Sequence, residues 1–113
     1  MKTLVYQTWS ESEQGWGIRP DGFSLHLSMD DHTKYMDDYW SRMPKSTPHE
    51  YSFPDGLDRR YGHPYILEVD GRSALYRSLA KSKTKFGLRF WQHERLRTDI
   101  QKQLDEALKN KEG

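Results

Sequence analysis

The sequence contains no cysteine, which removes disulfides, thiolate nucleophiles and Cys-ligated zinc from consideration. It has no run approaching the ~20 apolar residues of a membrane-spanning helix, and the residues after Met1 lack the apolar core of a signal peptide. The expectation is a soluble, cytoplasmic protein with no membrane association. No glycine-rich phosphate loop occurs, neither G-x-x-x-x-G-K nor G-x-G-x-x-G. Branched aliphatics are scarce: Leu, Ile, Val and Phe supply 20 of 113 residues, a level that by itself leans toward disorder. A net charge of only +1 and fifteen aromatic residues oppose that reading, because each aromatic can bury ~150–250 Å². The composition therefore predicts one folded domain whose core rests on Trp, Tyr, Phe, Leu and Met.

The densest local information lies between Trp16 and Ser28. Pro20 pre-sets its own φ and Gly22 tolerates a positive one, so Arg19-Pro20-Asp21-Gly22 reads as a turn. Phe23, Leu25 and Leu27 then alternate with Ser24, His26 and Ser28, the period of a strand buried on one face only. Ser28 is placed to cap a helix with Asp30 and Asp31 in its first turn. Tyr35, Met36, Tyr39, Trp40 and Met43 fall mostly on one side of that helix, which Pro44 stops.

Elsewhere, Thr3–Trp9 predicts a first strand, pairing with the next across a polar loop at 10–15. Residues 44–64 hold four of the five prolines and read as a long ordered loop, with Tyr51, Phe53, Leu57 and Tyr61 packed down and a turn at Pro54–Gly56. Tyr65–Val69 predicts a short strand. Asp70-Gly71 is either a hairpin turn or the start of a helix over 72–81, and the four-residue spacing of Leu75 and Leu79 favours the helix. Residues 85–91 predict a strand with a bulge at Gly87. A long C-terminal helix over about 93–110 carries Leu96, Ile100, Leu104 and Leu108 in one stripe, which either covers the sheet or forms a homodimer seam.

The pattern Trp16-Gly17-x-Arg19-Pro20-Asp21-Gly22-x-Ser24-Leu25-His26, with Glu50-Tyr51-Ser52-x-Pro54-x-Gly56, resembles one in small uncharacterised proteins of bacteria and their mobile elements. The resemblance covers the first half of the chain. It implies a fold-level likeness and no activity.

Charge is unevenly distributed. Residues 1–71 carry seven basic and twelve acidic side chains, whereas 72–97 carry eight basic ones and only Glu94 in opposition. Arg77, Lys81, Lys83, Lys85, Arg89, Trp91, Arg95 and Arg97 are thus candidates for binding nucleic acid, the cations on phosphates and Trp91 on a base. The competing account makes Phe86, Phe90 and Trp91 core residues and the cations a solvated face, and no recognised nucleic-acid motif accompanies them.

A catalytic constellation is harder to find. Gly22-x-Ser24-x-His26 misses the G-x-S-x-G elbow at its last position and lies within a strand. The five histidines show no H-x-H or H-E-x-x-H spacing, so no metal or other cofactor is expected. A small enzyme using a His/Asp pair near His26 is the remaining catalytic alternative. Trp16, Arg19, Asp21 and His26 are candidates for a protein-facing hot spot. The sequence is therefore read as α+β, a small, mostly antiparallel sheet packed by two or three helices in a single domain. Its expected role is a non-enzymatic protein-interaction or inhibitor module, a style of small protein often encoded by phages and mobile elements. Nucleic-acid binding is the alternative.

Overall fold

A computed structural model describes residues 1–13, 15, 17–44, 46, 50–82 and 86–111. Elements follow in the order β1 (Lys2–Glu13), β2 (Gly17–His26), α1 (Met29–Ser41), β3 (Tyr51–Pro54), β4 (Tyr65–Val69), α2 (Ala74–Ala80), β5 (Leu88–Phe90) and α3 (Thr98–Lys109). Every strand pairing is antiparallel. β1 is central, with β2 and then β5 on one side. On its other side β4 pairs with Lys2–Tyr6 and β3 with Trp9–Ser12, end to end. The α+β architecture is as the sequence predicts.

Two strands are longer than their alternation suggested. β1 continues through the polar residues 10–13, because that segment pairs with both β2 and β3. β2 begins at Gly17, so Arg19-Pro20-Asp21-Gly22 is not a turn. The pairing steps from Thr8↔Phe23 to Ser10↔Pro20, leaving Asp21 and Gly22 opposite Trp9 alone, which is a β-bulge on β2. Pro20 is tolerated because β5 reaches only Phe23–Leu25, and beyond it β2 is an edge.

Gly22 supplies the bulge's positive φ (+87°), and a Cβ there would lie 2.0 Å from the Phe90 carbonyl oxygen. Gly22→Ala is therefore expected to cost ~3 kcal/mol or more, from left-handed strain plus displacement of β5. Gly15→Ala has a similar φ (+85°) but meets nothing within 4 Å, and should cost only ~1 kcal/mol. Urea midpoints of the two variants provide the comparison.

The helices start and stop for local reasons. Ser28 caps α1, accepting from the Asp31 amide. Ser73 caps α2, while Asp70 instead accepts from the Arg72 amide and does not begin the helix. α3 begins only at Thr98, so 93–97 lie outside it. Leu104 and Ala107 are buried, and Leu96, Ile100 and Leu108 pack on the same cluster. The C-terminal stripe thus covers the sheet. The stretch 44–64 contains β3, and Leu57 at the tip of its following loop is fully exposed.

The sheet is covered on both faces. α2 and α3 enclose Leu4, Leu25, Leu67, Val69, Leu75, Leu79, Leu104 and Ala107. On the opposite face Val5, Gln7, Trp9, Ser24 and His26 are buried with His32 and Met36 of α1. The expected half-buried β2 is therefore corrected: Ser24 and His26 are as inaccessible as Leu25, whereas Leu27, beyond the strand's end, is exposed. Among the described residues, no helix is long and apolar enough to cross a membrane.

Candidate functional site

The layer under α1 is polar yet buried, and its hydrogen bonds run in one determined direction. His26 Nδ1 lies 2.8 Å from the Phe86 carbonyl oxygen. A carbonyl can only accept, so Nδ1 carries the proton and Nε2 is bare. Ser24 Oγ then donates to His26 Nε2 at 2.8 Å and accepts from the Trp9 indole N–H, also at 2.8 Å. Gln7 forms a second chain. Its amide nitrogen donates to the Thr8 and Asp55 carbonyls, which leaves its oxygen to accept from His32 Nε2–H at 2.9 Å. No buried side-chain nitrogen or oxygen lacks a partner among the described residues.

Burial lowers the pKa of both imidazoles to about 4, and for His32 the neighbouring His26 adds to the effect. Their rings meet edge to face at 5.1 Å. The Ser24–His26 pair has the spacing of a nucleophile and its base, but both side chains are 0% exposed and no substrate can reach them. Gly87 seals the approach, since a Cβ there would sit 2.3 Å from His26 Nδ1. Asp30 and Asp31 lie on the exposed start of α1, and the described residues contain no metal-binding group of three ligand side chains.

Arg89, proposed from the sequence as a phosphate contact, is instead inside. Its side chain is 9% exposed and bonds to Asp21 Oδ2 at 3.2 Å. Its guanidinium lies 4.6 Å from the Trp9 ring and 4.1 Å from the Trp91 ring, an arrangement in which both indole faces favour the cation. Ser52 Oγ–H completes the Asp21 carboxylate at 2.6 Å. Burial lowers the Arg89 pKa, and Asp21 opposes that shift.

The protein-facing set drawn from the sequence is therefore dispersed. His26 and Asp21 are buried, and Arg19 is exposed but clipped to Glu11 and Glu13 across the β1–β2 pair. Trp16 lies outside the described residues. Of the basic set, Arg77, Lys81 and Arg95 are exposed, Arg97 is exposed and held by Asp99, and Trp91 is half exposed beside Arg89. Lys83 and Lys85 lie outside the described residues. Arg77, Lys81 and Arg97 converge on a hollow of ≈ 240 Å³ beside α2.

A different surface, not singled out from sequence, follows β4. One hollow of ≈ 610 Å³ lies between Thr8, Tyr65 and the 55–63 loop. It shares His63 and Tyr65 with a second, of ≈ 470 Å³, that also touches Ile66, Glu68, Met1 and Asn110. Met1, Glu68 and Asn110 pass on into a third, of ≈ 230 Å³, toward Asp70 and Glu106. Together they form one groove along the strand. Leu57, Met1 (85% exposed) and Ile66 (45% exposed) stand on it as accessible apolar side chains. The 55–63 loop is shaped by bonds from the Asp55 amide to Thr8, from the His63 amide to Asp55 and from the Gly62 amide to Asp58. Gly62, at φ +70°, lets the chain pass against Gln7. The Pro-Asp-Gly-Leu-Asp turn is the sequence signal nearest this surface, but its Leu57, expected to pack down, is exposed instead.

Comparisons with protein-family models, with curated proteins and with solved structures return no match to this chain.

Proposed function

We propose that the chain is a non-enzymatic module that binds another protein through the groove along β4. The observation that carries this reading is the juxtaposition of that groove with Leu57, Ile66 and Met1, which are apolar and exposed and line two adjoining hollows. Accessible apolar side chains grouped beside a strand edge are the usual mark of an interaction surface. The chemistry-bearing pairs, Ser24–His26 and Asp21–Arg89, are committed to the interior, which argues against the small-enzyme alternative. An inhibitor that acts by occupying a partner's surface needs no more than such a groove.

Nucleic-acid binding is a second reading, favoured by the convergence of Arg77, Lys81 and Arg97 on one hollow. One experiment separates the two: capture of partners from the native cell, with and without nuclease. The protein-binding reading expects nuclease-resistant capture that Leu57→Asp with Ile66→Asp weakens ~10-fold or more, the effect of losing a central apolar contact. Arg77→Glu with Lys81→Glu should leave that capture intact. Capture lost to nuclease, and to the second pair only, reverses the assignment.

A further inference from the structure

We infer that β4 takes up an extended, Lys/Arg-bearing segment of the partner as an added strand; this rests on the protein-binding reading and names its mode. β4 pairs with β1 alone, and among the described residues no other backbone group bonds to Tyr65–Val69. Its outer side therefore presents alternate N–H and C=O groups to the groove, as an edge strand does.

The competing edges are less suitable. β5 has three residues, β3 has four and ends on Pro54, and the free part of β2 carries Pro20 and the bulge at Asp21–Gly22. β4 has five, with no lysine, proline or bulge inside it, so that of the usual guards of an edge it carries only the Glu68 charge. Five residues span ~17 Å, and the hollows that reach His63 at one end and Asp70 at the other bracket that strand. Leu67 and Val69 point into the core while Ile66 and Glu68 face out. An incoming strand would find an apolar and an acidic neighbour in alternation.

Charge selects the occupant. Glu68, Asp70 and Glu106 border one end of the groove, and Asp55 and Asp58 the other. Neither Glu68 nor Glu106 forms an ion pair among the described residues, while Asp70 is paired with Arg72 at 3.5 Å and also feels the positive N-terminus. Lys111 lies over the Tyr65 ring, 3.9 Å from its centroid, and forms no ion pair with these carboxylates among the described residues. A second copy paired through the same edge would set one acidic border against another, which costs affinity. A basic segment gains on both counts.

The test uses the full chain with two ten-residue probes, one alternating Lys and Val, the other alternating Glu and Val. Titration calorimetry gives affinity, and NMR hydrogen exchange gives the site. The expected result is at least ~10-fold preference for the Lys probe, with slowed exchange at alternate amides of Tyr65–Val69 and none at Leu88–Phe90. Glu68→Lys with Glu106→Lys should reverse the preference. Equal binding of the two probes, or unchanged β4 amides, overturns the inference. So does concentration-dependent self-association that protects β4 without any probe. If Leu57→Asp with Ile66→Asp abolishes capture of the native partner while β4 amides stay unprotected in that complex, strand addition fails and the protein-binding reading stands. If the variant captures normally, both fail.

Discussion

Acidification from pH 7 to pH 4 is expected to unfold the protein or leave it barely folded. His26 and His32 are buried and neutral, with pKa values of about 4 against 6.5 for the free side chain. Between those values the unfolded chain binds two protons that the folded chain does not. Stability is therefore fully present above about pH 6.5 and falls as the pH drops toward 4, below which the loss levels off. Each histidine contributes about 3 kcal/mol across that window, and two together rival the whole stability of an ordinary small domain, ~5–15 kcal/mol. Urea melts at half-unit pH steps should show stability falling by roughly 2 kcal/mol per pH unit around pH 5. His32→Gln, which keeps an amide donor near Gln7, should halve that slope even if it lowers stability at pH 7. A stability unchanged from pH 7 to pH 4.5 would contradict the buried, neutral assignment.

Arg89→Met is the second large effect. The substitution keeps much of the stem packed between Trp9 and Trp91 but removes the cation facing Asp21, a carboxylate that is itself 9% exposed. Breaking a buried pair from one side leaves an uncompensated charge and costs ~3–5 kcal/mol. The carboxylate, not the lost contact, is the larger part of that cost. Asp21→Asn combined with Arg89→Met should then be more stable than Arg89→Met alone by ~2 kcal/mol, a coupling that chemical denaturation of the four-member cycle measures. Additive single effects would show that Asp21 does not depend on Arg89.

Both effects arise where the sequence was hardest to read. The alternation of Phe23, Ser24, Leu25 and His26 shows a strand, Ser28 shows the start of α1, and the four-residue spacing of leucines shows α3; all three are local patterns. Alternation says which residues share a face, but not whether a second layer covers the polar one. Here α1 covers it. One signal was present: the polar positions on that face, Gln7, Ser24 and His26, are neutral, whereas a water-facing strand usually carries Lys, Arg or Glu. Arg89 was misread for a related reason. Counting charge along the chain cannot find Asp21, 68 positions earlier, because only the β2–β5 pairing brings them together. β3 went unseen because Pro48 shortly precedes it and Pro54 ends it, and the β4 groove because it is assembled from the N-terminus, a loop, a strand and the end of α3.

The directed chain Trp9–Ser24–His26–Phe86 has a further implication for how this protein can change. Beneath α2 and α3 one leucine can be exchanged for another aliphatic, and neighbouring side chains shift to fill the space. On the α1 side a single replacement of Ser24 orphans an indole donor and an imidazole acceptor at once, and both are buried away from the surface. Viable variants on that side should therefore come as matched sets, all members together or none, while the opposite face drifts one residue at a time.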